Sequence, residues 1–126
     1  MALYWTIDSR RRTVEVVAEG DVSMADAMAF FDTVEGAEAL TYSKLLDGTR
    51  AQAAMTPDDM LSIVVRIRGL HALGTMGALA VVATAEQAQR IARLLGAAAV
   101  ADRPMKLFED VKPARRWLEA RPPRHP

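Results

Sequence analysis

An acid, a hydroxyl and a cation stand within four residues at Asp47-Gly48-Thr49-Arg50. Close behind, Thr56-Pro57-Asp58-Asp59 has the form of a helix start, whose amide groups and positive dipole end suit an anionic group. Binding in open α/β sheets concentrates beyond the carboxyl ends of the strands. The candidate binding surface is therefore Asp47 to Thr56, with Asp47, Thr49, Arg50 and Thr56 as its polar groups. A second candidate is basic. Arg66 and Arg68 on one helix, with Arg90 and Arg93 on the next, would offer an acidic protein partner a positive face.

Catalytic machinery is harder to assemble. Histidine is the commonest general base, and the chain has only His71 and His125. His71 falls near the end of a helix, where its ring suits the exposed carbonyls, and His125 falls in the tail. Asp58 and Asp59 are neighbours on a helix, so their side chains point about 100° apart and serve the helix start. The glycines of 69–77 resemble a phosphate loop. Such loops leave a strand and open a helix, whereas this one leaves a helix and enters a strand. Arg10-Arg11-Arg12 reads as a solvated hairpin tip. With no H-x-x-x-H or H-E-x-x-H spacing, we expect no catalytic residues, no metal site and no cofactor.

Composition narrows the classes further. The chain has 126 residues, 51% apolar and 25% charged, which is one globular domain with one core. Its 16 basic and 16 acidic side chains cancel, so nothing global draws it to nucleic acid. Residues 1–63 carry 11 acids and 5 bases, and residues 64–126 the reverse. In a compact domain these charges are expected to intersperse. There is no cysteine, hence no disulfide, thiol nucleophile or thiolate metal site. The first eight residues lack the pattern of a signal peptide, and the apolar run Ala78–Ala83 is too short to span a bilayer. Cytoplasmic residence is the expectation.

The elements that must position these residues follow from periodicity. Residues 3–8 and 13–19 alternate around a polar turn and predict an antiparallel hairpin, ended by Gly20. Ser23-Met24-Ala25-Asp26 is a capping-box start, and Ala27, Phe30, Phe31 and Val34 form one helical face that stops near Gly36. Residues 42–47 read as a short strand and residues 48–55 as a loop. A helix from Thr56 buries Met60, Ile63, Val64 and Ile67, with Gly69 and Gly74 to end it. Ala78–Ala83 is a strand covered on both faces. Thr84 caps a helix with Ala88, Ile91, Ala92, Leu95 and Ala99 on its inner face. Residues 105–108 form a last strand, and Asp110 caps a last helix carrying Val111, Ala114 and a buried Trp117-Leu118 pair. The fold class is α/β, in the order ββαβαβαβα, with a mostly parallel sheet and an antiparallel edge strand. Residues 1–120 form one domain, and 121–126 a tail without fixed structure.

This order resembles the SpoIIAA-like family, which is related in fold to STAS domains and to CRAL-TRIO lipid-binding proteins. The resemblance spans roughly residues 3 to 119. It rests on Gly20-Asp21-Val22-Ser23 after the hairpin, Ala78–Ala83 running into Thr84-Ala85, and Lys106-Leu107-Phe108-Glu109-Asp110 leading to Ala114 and Trp117-Leu118. It implies a regulatory module acting on a protein partner, with a second copy of the chain among the candidates. Antagonists in the STAS group carry Asp-Ser-Ser-Gly after the third strand and are phosphorylated on the serine beside the aspartate. Here that place reads Asp47-Gly48-Thr49-Arg50, so Thr49 is the hydroxyl left to stand in. The CRAL-TRIO kinship implies a different function, a small apolar ligand or lipid held by Trp5, Phe30, Phe31, Phe108 and Trp117. These positions are also core positions, and no ligand-filled cavity is expected.

Overall fold

The hairpin turns where Asp8 makes it turn. Its Oδ1 accepts the backbone N–H groups of Arg10 and Arg11, each at 3.0 Å, and Arg12 closes the turn at φ 54°. In the computed structural model, which describes residues 2–53, 55–99 and 103–121, this joins β1 (Leu3–Asp8) to β2 (Thr13–Val22). The chain continues through α1 (Met24–Gly36), β3 (Ser43–Ala53), α2 (Pro57–Leu73), β4 (Leu79–Val82), α3 (Ala85–Ala98), β5 (Met105–Phe108) and α4 (Val111–Glu119). The sheet order is β1-β2-β3-β4-β5, with β1 antiparallel to β2 and the other pairs parallel. The expected architecture is the observed one.

Strand alternation divides the core in two. Val14, Val16 and Ala18 pack with Leu3 and with Val34 of α1, and Trp5 and Phe30 close that layer. Leu45, Ala80 and Val82 point the other way, to Ala114 and Leu118 of α4. Helix α2 packs on α1 and α3, and α4 covers β3, β4 and β5.

Three helices begin in capping boxes, at Ser23/Asp26, Thr56/Asp59 and Thr84/Gln87. Asp110, expected to cap α4, makes no side-chain cap bond. The other three caps all bond the third helical N–H, and in α4 that position is Pro113, which has none.

The clearest departure lies at the carboxyl ends of β2 and β3. Gly20 does not end β2 but sits inside it at φ 69°, and residues 48–53 are strand rather than loop. The register steps from Val17↔Asp47 to Glu19↔Arg50 and runs on to Val22↔Ala53, so β3 holds one extra residue in a bulge. Each strand's extension supplies the other's backbone partners. Such pairing is invisible in either segment alone.

Helical faces also shift in detail. In α2, Ile63 and Leu70 are buried, while Met60, Val64 and Ile67 are half-buried. Gly69 lies inside the helix, and only Gly74 stands at its end. In α3 the inner seam is Ala88, Ile91, Leu95 and Ala98, and Ala92 and Ala99 are exposed. Ala99 is the C-cap, and its extended backbone (ψ 142°) takes it off the helical face.

In α4, Leu118 is buried but Trp117 only partly so, lying tilted on Phe108 at 5.8 Å with the Arg121 guanidinium 4.4 Å above its ring. Leu118→Ala should therefore cost about 2–5 kcal/mol in chemical denaturation and Trp117→Ala less, about 2–3 kcal/mol. The reverse ranking would mean that the Trp117 ring closes the core more fully than its exposure indicates. Of the tail, residues 122–126 lie outside the described residues.

Candidate functional site

The β3 bulge creates the local geometry of the candidate surface. Asp47 closes the pairing of β3 with β4 opposite Val82, and the extra residue after it lets the chain fold back on its carboxylate. Asp47 Oδ1 accepts the Thr49 backbone N–H at 3.1 Å and the Thr49 hydroxyl at 2.8 Å. Arg50 is the next residue, largely exposed, with Nη1 3.5 Å from Glu19 Oε1. Asp47, Thr49 and Arg50 thus sit together as the sequence suggested.

Gln87 braces this bulge and was missed by the sequence reading. Its Nε2 donates to the carbonyls of Gly48 (2.8 Å) and Ala51 (2.9 Å), while its Oε1 accepts the Thr84 N–H at 2.9 Å. The Thr84-x-x-Gln87 spacing announces the cap, but the second function of the amide depends on α3 starting beside the bulge. A Cβ added at Gly48 would meet only the Val82 carbonyl, at 3.6 Å. The site has room for a serine there and lacks one.

Thr56 is occupied by its own helix. Its Oγ1 accepts the Asp59 N–H, and its N–H donates to Asp59 Oδ2, both at 3.1 Å. Pro57 has no N–H to offer, and Asp58 and Asp59 place negative charge in the first turn. The anion-receiving amides expected here are largely consumed.

Of the four arginines of the basic face, Arg66 is drawn into ion pairs, while Arg68, Arg90 and Arg93 are exposed. Arg66 Nη2 lies 3.0 Å from both Asp32 Oδ1 and Glu35 Oε1, with its guanidinium over the Phe31 ring, which ties α2 to α1. Arg68 Nη1 reaches the Ala97 carbonyl at 3.4 Å. Arg90 remains exposed on α3. The Arg66 contacts and the Arg115–Glu15 pair join the basic half of the sequence to the acidic half, so the charges are interspersed in space.

At the opposite end of the strands lies a group of buried bases. Lys44 is 5% exposed, and its Nζ donates to the carbonyls of Leu40 and Tyr42, both at 2.7 Å. Burial and then the Arg103 charge push its pKa down to about 7. Arg103, also buried, donates from Nε to the Gly77 carbonyl and from Nη1 to His71 Nε2, each at 2.9 Å. A guanidinium only donates, so Nε2 is the acceptor and the neutral ring carries its proton on Nδ1, which is buried without a partner. Burial first, then Arg103, Arg68 and Lys44, lower the His71 pKa. His71 therefore serves a buried arginine rather than the carbonyls at the end of α2. Among the described residues no cluster of three or more His, Asp or Glu side chains could hold a metal ion, and no helix is long and apolar enough to cross a membrane.

The five Trp and Phe residues divide between the two faces of the sheet. Trp5 meets Phe30 edge-on at 5.4 Å, and Phe30 meets Phe31 at 6.1 Å, in the layer under α1. Phe108 and Trp117 pack on the α4 side. They cannot line one chamber.

No protein-family model and no curated protein matches the chain. Solved structures do. An uncharacterised DUF3478-family protein with a SpoIIAA-like fold from Shewanella loihica aligns at a TM-score of 0.60 and 19% identity, over 93% of this chain and 94% of that one. An anti-sigma factor antagonist from Mycobacterium paratuberculosis gives 0.57 and 17%, over 93% and 94%. The anti-sigma factor antagonist SpoIIAA in its unphosphorylated form gives 0.56 and 15%, over 95% and 98%. At these identities the likeness speaks to architecture, and on it, with the observed element order and mixed sheet, the chain has the SpoIIAA-like fold.

Proposed function

We propose that this chain is a non-catalytic regulatory module that works in the cytoplasm by docking a protein partner. Two structural neighbours are anti-sigma factor antagonists, and fold likeness alone is an analogy. The observation that carries the reading is the outer face of α2. Leu61 and Val65, one turn apart, are 62% and 63% exposed, and Leu73 extends the apolar stripe toward the end of the helix. Large apolar side chains grouped this way mark an interaction surface more often than isolated ones do. The stripe lies on the helix that Thr56 caps. Control by phosphorylation would have to act at Thr49, because Gly48 has no hydroxyl. A phosphate there would replace the donor that Asp47 now accepts with about −1.5 to −2 of charge. Arg90 lies on a different helix and serves as the control position.

The test is affinity capture from the native host with wild type, Val65→Glu, Thr49→Glu and Arg90→Ala. The expected result is one partner recovered by wild type and Arg90→Ala, and reduced at least fivefold by Val65→Glu and Thr49→Glu. Equal recovery by all four proteins would remove the docking surface from this end of the molecule.

A further inference from the structure

On the α4 side of the sheet, an open groove of about 530 Å³ lies between the hairpin and the end of α4. This is within the range of small-molecule sites, and it lies at the amino end of β3, away from Asp47. Three strands present a polar row along it, because Asp8 pairs with Thr13 and Thr13 with Ser43 in the sheet register. Leu45 and Leu118 add an apolar wall. Ser43 is 3% exposed, and its Oγ has no hydrogen-bond partner. A buried hydroxyl left unsatisfied is uncommon in native proteins and calls for a reason.

The charges around the groove select among ligands. Arg115 is already committed, donating from Nε and Nη2 to Glu15 Oε1 at 3.2 and 3.0 Å. The remaining charged groups form two mixed walls: Asp8 with Arg11 on the hairpin, and Glu119 with Arg121 at the end of α4. An anion or a cation alone would meet repulsion and attraction in equal number. A ligand carrying both charges can pair with both.

We propose that this groove binds a small zwitterion with an apolar side chain, such as an apolar amino acid or dipeptide. Its side chain lies against Leu45 and Leu118, and one charged end reaches Ser43 Oγ. The site is independent of the docking surface proposed above.

The test is an amide-resolved NMR titration of the full chain with leucine, leucyl-leucine, N-acetyl-leucine amide and octanoate. Leucine or leucyl-leucine should give saturable shifts at Thr13, Ser43 and Leu118 with a Kd of roughly 1 mM or tighter. The stronger of the two identifies a free amino acid or a peptide as the source. The capped amide and octanoate should bind at least tenfold more weakly. Ser43→Ala removes an unsatisfied hydroxyl, so it should keep or raise the wild-type melting temperature and lose at least fivefold in affinity. Arg121→Glu, at an exposed position, should lose as much. The proposal is overturned if neither zwitterion gives saturable shifts, if octanoate binds equally well, or if both variants bind as wild type does. Shifts confined to residues 47–56 would also overturn it, and would leave the docking surface standing.

Discussion

Replacing Gly77 with alanine is expected to remove most of the stability of this protein. A Cβ at that position would overlap the Tyr42 carbonyl oxygen and lie 2.5 Å from its carbon and 2.6 Å from the Thr41 oxygen. All three atoms are backbone, so no side chain can swing away. Gly77 N–H also donates to the Leu40 carbonyl at 2.9 Å, and its own carbonyl receives Arg103. Relieving the clash means parting residues 40–42 from residues 76–78, which breaks the bond to Leu40 and disturbs the carbonyls that hold Lys44. The expected loss is more than about 4 kcal/mol, within the range of severe single substitutions, against a total of about 5–15 kcal/mol for a typical domain. Urea unfolding with the slope compared to wild type measures it. A loss under about 1 kcal/mol would show that the two loops are not clamped.

Stability should rise with pH between about 7 and 10, and Lys44 should be the cause. Its folded-state pKa is about 7, against an ordinary value of 10.5. Between these values the unfolded chain binds a proton that the folded protein does not, so raising the pH favours the fold. Below about 7 both states are protonated, and Lys44 contributes no slope. The neutral amine still has two N–H groups for the Leu40 and Tyr42 carbonyls, which is why the fold tolerates it. The full shift corresponds to a ceiling of about 5 kcal/mol at 1.36 kcal/mol per unit. A gain of about 2–3 kcal/mol from pH 7 to 9.5 is expected for wild type relative to Lys44→Met.

His71 has the same sign in another window. Its pKa also falls, from 6.5, so its contribution is complete by about pH 6.5 and does not enter the measurement. Parallel pH profiles for wild type and Lys44→Met would contradict the assignment.

What the sequence determined alone is everything carried by neighbours along the chain. Capping boxes such as Thr56/Asp59 span four residues, helical faces recur every three or four, and strand faces every two, so the order ββαβαβαβα could be read directly. The grouping of Asp47, Thr49 and Arg50 was legible for the same reason. Tertiary structure decided what depends on distant partners. Residues 48–53 are a strand only because β2 continues past Gly20 to pair with them. Arg66, legible as a surface cation, is taken by Asp32 and Glu35 about thirty residues earlier. Lys44, His71 and Arg103 come together at the amino end of the strands although 27 and 32 residues separate them in turn, and no local pattern marks Lys44 or Arg103 as buried. Trp117 follows Val111 and Ala114 at three-residue spacing and so looks like core, yet it lies at the margin of the cluster that buries Leu118. Periodicity reports which side of an element is apolar. Which residue from elsewhere comes to lie against that side is set by the crossovers and the register, and these exist only in the folded chain.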